Sequence, residues 1–315
     1  MLIANHLGRA LNHLHRGTLK GRLRWEWRQY LKQRRLDWWK SQVGKQEYVE
    51  KVVHPDIRMR LYFDSWLCRS IYYGEFETGE ISFLKAFLKP GDVFIDVGAN
   101  IGLFALVAAR CVGDTGRVYA FEPCSATYGR LIDNVKLNRL SNVSCQQLAL
   151  AEKRHDAQMT VSLDGFDAWN SMARPTMGRL FTKETIRCTT LDDFAYDQNL
   201  VGCITMVKID VEGWESRVLE GGGKTLSGKN APILQVEFSG KASHSAGSSC
   251  QKIYQFLEEL GFKIFTYDPR SQSLNPDPVR EEYSYLNLFA IKDAEEVVTR
   301  IRENIKSQVS MHRGN

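Results

Sequence analysis

The sequence predicts an α/β fold whose sheet is mainly parallel and covered by helices on both faces. From about residue 90 onward, short apolar runs alternate with segments of helical periodicity, a pattern typical of such folds. The first run, residues 93–97, is apolar except for Asp96, as expected of a central strand buried on both sides. Pro90 and Gly91 end a helical pattern just before it, so the chain turns there into the sheet.

Seven strands and several helices follow from this pattern in chain order. The predicted strands cover residues 93–97, 118–121, 143–150, 206–209, 233–238, 263–267 and 286–291. Helical spacing predicts helices over residues 103–112, 125–140 and 253–260. Residues 151–190 are less regular because Gly165, Pro175 and Gly178 interrupt any long element. Since folds of this kind place substrate loops in such insertions, we expect this segment near a binding site.

Length and composition allow one large domain with extensions. The chain has 315 residues, of which 43% are hydrophobic and 25% charged, values that are ordinary for a globular protein with a substantial core. We predict a basic, aromatic-rich helical extension over residues 1–50 and lead-in strands with a helix over 51–89. The main domain is predicted over 90–295 and a C-terminal tail over 296–315.

Signals for export or membrane insertion do not occur in this sequence. Basic residues interrupt residues 1–24, so the apolar core of a signal peptide is missing, and no run of about 18 apolar residues occurs. The seven cysteines are scattered and include no C-x-x-C pair. We therefore expect a cytoplasmic protein whose cysteines form neither disulfides nor zinc sites.

Residues 16–40 form a basic, aromatic segment outside the α/β pattern. They carry nine Lys and Arg residues against Glu26 and Asp37, with Trp and Tyr side chains interleaved among the basic ones. Such a segment can lie on an anionic membrane or hold a polyanion. The alternative is a solvated helical arm whose aromatic side chains pack on the main domain. Peripheral membrane contact through residues 16–40 is the functional hypothesis.

The strand at 93–97 runs into the glycine-rich sequence D-V-G-A-N-I-G, residues 96–102. Gly98 and Gly102 let the backbone turn sharply, and the following helix presents free amide groups at its first turn. Asn100 and Leu103 occupy the positions where a dinucleotide-binding G-x-G-x-x-G has its second and third glycines. The loop therefore favours a nucleoside cofactor without a pyrophosphate.

Glu122 follows the next predicted strand, about 20 residues after the loop. An acidic side chain at this position can accept hydrogen bonds from both hydroxyl groups of a ribose. The structural alternative is a surface glutamate at the end of a strand. Its spacing from the glycine-rich loop favours the ribose contact.

Several ordered motifs resemble the FkbM family of methyltransferases. They are DVGANIG at 96–102, FEP at 121–123, TLDD at 190–193, VKIDVEG at 207–213, EGG at 220–222 and VEF at 236–238. The resemblance covers roughly residues 50–291 and leaves out the arginine-rich start. It implies a Rossmann-like class I methyltransferase fold with a seven-stranded, mainly parallel sheet. It also implies S-adenosylmethionine as cofactor and methylation of oxygen, often on sugar hydroxyls of glycans or on natural products.

The resemblance also implies roles for individual residues. It places the cofactor-binding loop beside the methionine end of S-adenosylmethionine, Glu122 on the ribose and Ala149 near the adenine. The full cofactor-binding set is Asp96, Gly98, Ala99, Asn100, Gly102, Glu122, Ala149 and Asp210.

Four residues are candidate general bases for a hydroxyl acceptor: Asp210, Glu212, Glu237 and His244. Asp210 interrupts an apolar run, where a charge is costly to bury without a partner. It either faces the cofactor and acceptor or forms an ion pair with Lys208. No metal is assigned, because the histidines lack H-x-x-x-H spacing. Asp192 and Asp193 are compatible with a cation but equally with a helix N-terminus.

Two further functions remain open at this point. A nucleic-acid methyltransferase would use the basic segment to hold phosphates, but no [ND]-P-P-[YF] motif follows the strand at 206–209. A non-catalytic scaffold would keep the fold and bind a membrane or a partner through residues 1–50. We expect the acceptor to be a small molecule or a glycan.

Overall fold

An eight-stranded sheet forms the centre of the computed structural model, which describes residues 19–172, 177 and 179–313. Its strands are β3 (Val93–Val97), β4 (Arg117–Phe121), β5 (Val143–Gln146), β9 (Met206–Ile209), β10 (Ile233–Phe238), β11 (Lys263–Asp268), β12 (Ser273–Pro276) and β13 (Leu286–Ile291). The order across the sheet is β12-β11-β13-β10-β9-β3-β4-β5. The five strands from β10 to β5 run parallel, and β13 pairs antiparallel with both of its neighbours.

Five further strands lie outside the central sheet. β1 (Tyr48–His54) and β2 (Ile57–Tyr62) form an antiparallel hairpin before it, and β6 (Ala149–Leu150), β7 (His155–Ser162) and β8 (Phe181–Thr189) form a three-stranded sheet. The described helices are α1 (Leu19–Gln42), α2 (Trp66–Tyr73), α3 (Thr78–Phe87), α4 (Leu103–Val112), α5 (Ser125–Leu137), α6 (Leu191–Asp197), α7 (Glu215–Glu220), α8 (Gly223–Ser227), α9 (Gly240–Ser245), α10 (Cys250–Glu259) and α11 (Ala294–Arg313).

Two apolar cores cover the two faces of the central sheet. Phe94, Met206 and Ile233 point into a core shared with α3, α4 and α11. Their neighbours in the chain, such as Ile95 and Val207, point into a second core shared with α6, α7 and α10. This alternation is the period of two expected of strands covered on both faces.

The predicted fold class is confirmed, and several of its details are corrected. The sheet has eight strands instead of seven, because β12 adds to the edge beside β11. The predicted third strand at 143–150 divides into β5 and β6, which belong to different sheets. The helix predicted to reach residue 140 ends at Leu137.

The segments that flank the main domain contain long helices. Residues 296–313, predicted as a tail, continue α11, whose Val297 and Ile301 are buried against the first core. Its Asn304 Nδ2 donates to the Ala86 and Leu88 carbonyl oxygens at the end of α3, at 3.0 and 2.9 Å. The domain boundaries themselves remain a prediction. Among the described helices, none is both long enough and apolar enough to cross a membrane.

Candidate cofactor and active site

The loop between β3 and α4 lies directly against the chain that leaves β9. Gly98 has a φ of +81°, and a Cβ built on it would stand 1.9 Å from the Asp210 carbonyl oxygen. Gly102, at a φ of +95°, leaves no room for a Cβ beside the Leu131 side chain. Close packing at Gly98 and the positive φ at both positions therefore favour glycine, in addition to any ligand that approaches the loop. Asn100 also adopts a left-handed conformation, with a φ of +47°.

Glu122 ties this loop to the end of β4. One of its carboxylate oxygens accepts from the Asn100 backbone N–H and the other from the Cys124 backbone N–H, both at 3.0 Å. The side chain is buried, and burial raises its pKa to about 8 although the two N–H groups oppose that rise. The carboxylate is thus fixed in place with acceptor capacity left for ribose hydroxyls.

A row of polar residues crosses the sheet beside the apolar residues of the first core, on the side of the carboxyl ends of the strands. Asp96 on β3 pairs in register with Lys208 on β9, which pairs with Gln235 on β10. These three residues lie two positions after Phe94, Met206 and Ile233, so they share the same face of the sheet. All three are buried. The face that holds the apolar core therefore becomes polar at the carboxyl ends of the strands, where ligands bind in open α/β sheets.

Lys208 is the cation of this polar row. Its Nζ lies 2.9 Å from Asp210 Oδ2 and 3.9 Å from Asp96 Oδ1, and it stands 4.8 Å from the centroid of the Phe104 ring. Burial lowers the pKa of Lys208, but the charges of Asp210 and Asp96 outweigh burial and raise it. The Asp210–Lys208 ion pair considered from the sequence therefore exists, and it orients Asp210 without excluding a role in catalysis.

Three carboxylates meet beside this ion pair. Asp210 and Glu212 follow β9, Glu237 lies near the end of β10, and carboxylate oxygens from the three side chains lie within 4.8 Å of one another. We call Asp96, Lys208, Asp210, Glu212 and Glu237 the acidic edge. Burial, followed by the charges of neighbouring carboxylates, raises the pKa values of Glu212 and Glu237 well above the usual range.

Residues that the sequence analysis did not single out complete this end of the sheet. Glu77, just before α3, accepts from Tyr285 Oη at 2.8 Å and from Asn287 Nδ2 at 3.1 Å. Asn287 on β13 pairs in register with Glu237. Burial and the charge of Asp210 raise the pKa of Glu77 to about 8. The sequence carries no signal for this contact, because Glu77 and Tyr285 lie 208 residues apart in the chain.

The insertion between β6 and α6 closes over the same region. The Asp167 carbonyl accepts from Asn100 Nδ2 at 3.4 Å, and the Ser171 hydroxyl donates to the Glu212 carbonyl at 2.8 Å. Asp167 also accepts from the Ser65 hydroxyl at 2.8 Å, which links the insertion to the start of α2. The sequence placed this irregular segment near a binding site, and it contacts both the loop and the acidic edge. Residues 173–176 and Gly178, which include Pro175, lie outside the described residues.

The other residues that the sequence suggested for the site lie at different places in the fold. Ala149 begins β6 and is buried beside Cys188, its partner in the three-stranded sheet. His244 lies on α9 and is exposed, unlike the carboxylates of the acidic edge. Asp192 accepts from the backbone N–H groups of Lys224 and Thr225 at 2.9 and 2.7 Å.

Asp193 forms an ion pair with Arg154 at 2.7 Å, and Asp197 in the same helix holds a second nitrogen of that arginine at 2.8 Å. The acidic residues at the start of α6 therefore have structural partners, which explains them without a cation.

The residues present fit a cationic nucleoside cofactor. Neither carboxylate oxygen of Asp96 has a hydrogen-bond partner among the described residues, although the side chain is fully buried. Burial raises the pKa of Asp96 to about 6 against the opposing charge of Lys208. An unsatisfied carboxylate at the carboxyl end of β3 suits a cationic ligand, and Glu122 suits the hydroxyl groups of a ribose.

Comparison with known proteins gives the family. The model of the methyltransferase FkbM domain matches residues 96–264, which include the loop, Glu122 and the acidic edge. Methyltransferase 1 of Beauveria bassiana is 31% identical over 150 residues, 42% of this chain and 59% of that protein. The 31-O-demethyl-FK506 methyltransferase FkbM of Streptomyces tacrolimicus is 32% identical over 162 residues, 42% of this chain and 60% of that protein. The matched regions thus span about 60% of these relatives.

Among solved structures, the precorrin-6Y C5,15-methyltransferase of Geobacter metallireducens is 14% identical, with a TM-score of 0.41. The match covers 69% of this chain and 88% of that one, and so distant a likeness adds nothing to the assignment.

Fold and site together define a Rossmann-like domain with a glycine-rich loop beside an acidic edge. The chain belongs to the FkbM methyltransferase family, whose model matches more than half of its 315 residues. The predicted family and the predicted cofactor, S-adenosylmethionine, are thereby confirmed.

Proposed function

We propose that this chain is an O-methyltransferase that transfers a methyl group from S-adenosylmethionine to a hydroxyl of a sugar, glycan, glycolipid or small natural product. The observation that carries the proposal is the contact between loop and acidic edge at Gly98 and Asp210. A cofactor held by the loop has the carboxylates of the acidic edge as neighbours. The name of the Streptomyces relative specifies an oxygen position of its substrate, which supports oxygen as the acceptor atom.

When bound, S-adenosylmethionine supplies an electrophilic methyl group on a cationic sulfonium. The chain's own contribution is to hold the acceptor oxygen in line with that methyl group and to exclude water, which together contribute up to roughly 7 to 11 kcal/mol in favourable cases. The insertion suits this task, because Asp167 and Ser171 hold it over both the loop and the acidic edge.

Asp210 is the best placed of the candidate bases. Its side chain is 17% exposed, whereas that of Lys208 beside it is 4% exposed, so Asp210 reaches outward while Lys208 holds it. Burial among other carboxylates raises the pKa values of Glu212 and Glu237, whereas Asp210 accepts a hydrogen bond from the Lys208 ammonium group. A carboxylate that is oriented by a buried ammonium group can accept a proton from the acceptor hydroxyl.

The test is Asp210→Asn, assayed by release of S-adenosylhomocysteine with a panel of sugars, glycans and hydroxylated natural products. We expect turnover to fall about 10² to 10⁴-fold, the usual contribution of a general base, while the protein stays folded. Asp156→Asn is the matched control, since Asp156 is exposed on β7. Full turnover in Asp210→Asn would remove this residue from the mechanism, and unchanged turnover in His244→Ala would remove His244.

We also propose peripheral membrane contact through the basic segment. In α1, Trp27 and Tyr30 are 60% and 50% exposed, and their rings stack at a centroid distance of 5.6 Å. Arg24 and Arg28 are exposed on the same stretch of helix. Exposed aromatic rings among arginines match the chemistry of an anionic lipid surface, where rings insert and guanidinium groups pair with phosphates.

Sedimentation with anionic vesicles tests this contact in the full chain. Replacing Trp27 and Tyr30 by Ala should reduce binding, and added salt should weaken the binding that remains. The matched control replaces Tyr196 on α6, which is 76% exposed but lies outside the basic segment. Equal sedimentation of the α1 variant and the control would refute the contact, and salt-sensitive binding to duplex DNA alone would favour the nucleic-acid alternative.

A further inference from the structure

The acidic edge contains more negative charge than its single lysine neutralises. Lys208 is paired with Asp210 at 2.9 Å and lies 3.9 Å from Asp96. The charged neighbours that most affect the pKa of Glu237 are all carboxylates, and all of them raise it. Lys208 also acts on Glu212, but the neighbouring carboxylates act on it more strongly. A sulfonium cofactor with a single net positive charge therefore still leaves the acidic edge with more carboxylates than cations.

Glu237 is the feature that sets this cluster apart from an ordinary acidic surface patch. Its side chain is 1% exposed, and neither carboxylate oxygen has a hydrogen-bond partner among the described residues. Burying such a group without a partner is costly, and native structures rarely leave one unsatisfied unless it serves a ligand. Glu237 lies close to Asp210 and Glu212, so its carboxylate group is directed toward the carboxylates of these two residues.

The unsatisfied atoms around Glu237 are mainly oxygens. Glu77 Oε2 and Asn287 Oδ1 are buried without partners in the described chain, and Asn287 is the direct register neighbour of Glu237 on β13. Carboxylate and amide oxygens without histidine or cysteine are the ligand set of hard divalent cations such as Mg²⁺, Mn²⁺ and Ca²⁺.

The spacing of the three carboxylates is also compatible with one ion. Metal–oxygen distances of about 2.1 Å for Mg²⁺ and up to about 2.6 Å for Ca²⁺ allow two ligand oxygens to stand at most roughly 4.2 to 5.2 Å apart. The oxygens of Asp210, Glu212 and Glu237 lie within 4.8 Å of one another. Small side-chain adjustments therefore suffice to bring them onto a single cation.

From these observations we propose that Asp210, Glu212 and Glu237 bind a divalent cation at the carboxyl ends of β9 and β10. The binding itself does not depend on catalysis. Its role in the reaction rests on the proposed function: a cation at this position would lower the pKa of an acceptor hydroxyl, so that a weak base suffices to remove the proton. Histidine and cysteine spacing gives no sign of this site, because an all-oxygen site needs neither residue.

The experiment is a Mn²⁺ titration of the full chain followed by electron paramagnetic resonance, without S-adenosylmethionine or acceptor. We expect one bound Mn²⁺ per chain, displaced by Mg²⁺ or Ca²⁺, and at least tenfold weaker binding in Glu237→Gln. Glu122→Gln is the matched control, because Glu122 is also a buried glutamate at the carboxyl end of a strand but lies outside the cluster. It should bind Mn²⁺ as the parent chain does.

Circular dichroism checks that each variant is folded, and Glu212→Gln replaces Glu237→Gln if the latter is not. Absence of Mn²⁺ binding at millimolar concentration overturns the cation site, and so does equal binding in the cluster and control variants. Calorimetry with S-adenosylmethionine alone separates the two proposals. A chain that binds the cofactor but not Mn²⁺ refutes only the cation site, and the reverse result refutes only the proposed function.

Discussion

The acidic edge and helix α1 are both rich in charge, but the protein holds these charges in opposite ways. At the acidic edge, Lys208 and Glu237 are almost fully buried, and neighbouring charges shift the pKa values of both. Along α1, the basic side chains described between Arg24 and Arg35 are exposed. Charges in a low-dielectric environment interact strongly, whereas exposed charges are screened by water and salt. Position in the fold, more than residue type, therefore determines what each charge contributes.

Replacement of Lys208 should have the largest effect on stability. Lys208→Met leaves the carboxylates of Asp210 and Asp96 without their buried cation, so we expect a loss of about 3 to 5 kcal/mol in the free energy of unfolding. Urea denaturation measures this loss. A change below 1 kcal/mol would mean that the two carboxylates are already neutralised by protons.

Two tryptophans of α1 allow its two parts to be compared. One lies where the helix packs on the rest of the protein, and the other lies where it is exposed. Trp39 is 2% exposed and packs on Phe63 and Tyr72, at centroid distances of 4.7 and 5.3 Å. Trp39→Ala should cost about 3 kcal/mol or more, as for other buried aromatic truncations. Trp27→Ala should stay within about 0.5 kcal/mol, since Trp27 is exposed. Thermal melts of the pair measure the difference, and equal losses would show that α1 packs along its whole length.

The pH dependence of stability tests whether burial raises the pKa of Glu122. Its pKa is raised to about 8 in the folded protein, so between pH 4.5 and 8 the folded state keeps a proton that the unfolded state loses. Stability should therefore fall as pH rises through this range and change little below it. In Glu122→Gln the fall should be smaller by at least about 1.4 kcal/mol, the equivalent of one pKa unit. Parallel curves for the two proteins, from denaturation at several pH values, would contradict the raised pKa.

A small effect is expected at the exposed ion pair between α1 and the domain. Lys32 Nζ lies 2.9 Å from Glu75 Oε1, and both side chains are about half exposed, at 47% and 52%. Lys32→Met should therefore cost about 0.2 to 1 kcal/mol, and less in high salt. A loss comparable to that in Lys208→Met would remove the distinction between the two regions.

The elements of the central sheet could be predicted to within one or two residues where the pattern was unambiguous. Strands β3, β9, β10 and β13 have the predicted bounds, because each is an apolar run between turn-forming or polar residues. The third strand was predicted too long because no glycine or proline interrupts residues 143–150. Its division between two sheets depends on pairing with β8, which lies 39 residues further along the chain, at Ala149 and Cys188.

Alone, the sequence determined the fold class, the loop at 96–102, Glu122 and the carboxylates after β9 and on β10. Periodicity and local motifs encode these features because each depends on neighbours in the chain. Only the tertiary structure decided that Lys208 joins Asp96 to Asp210 and that Glu77 and Asn287 lie beside Glu237. The tertiary structure also decided which half of α1 packs on the rest of the protein. These outcomes depend on which strands and helices come together and on how completely they exclude water, which no local pattern specifies.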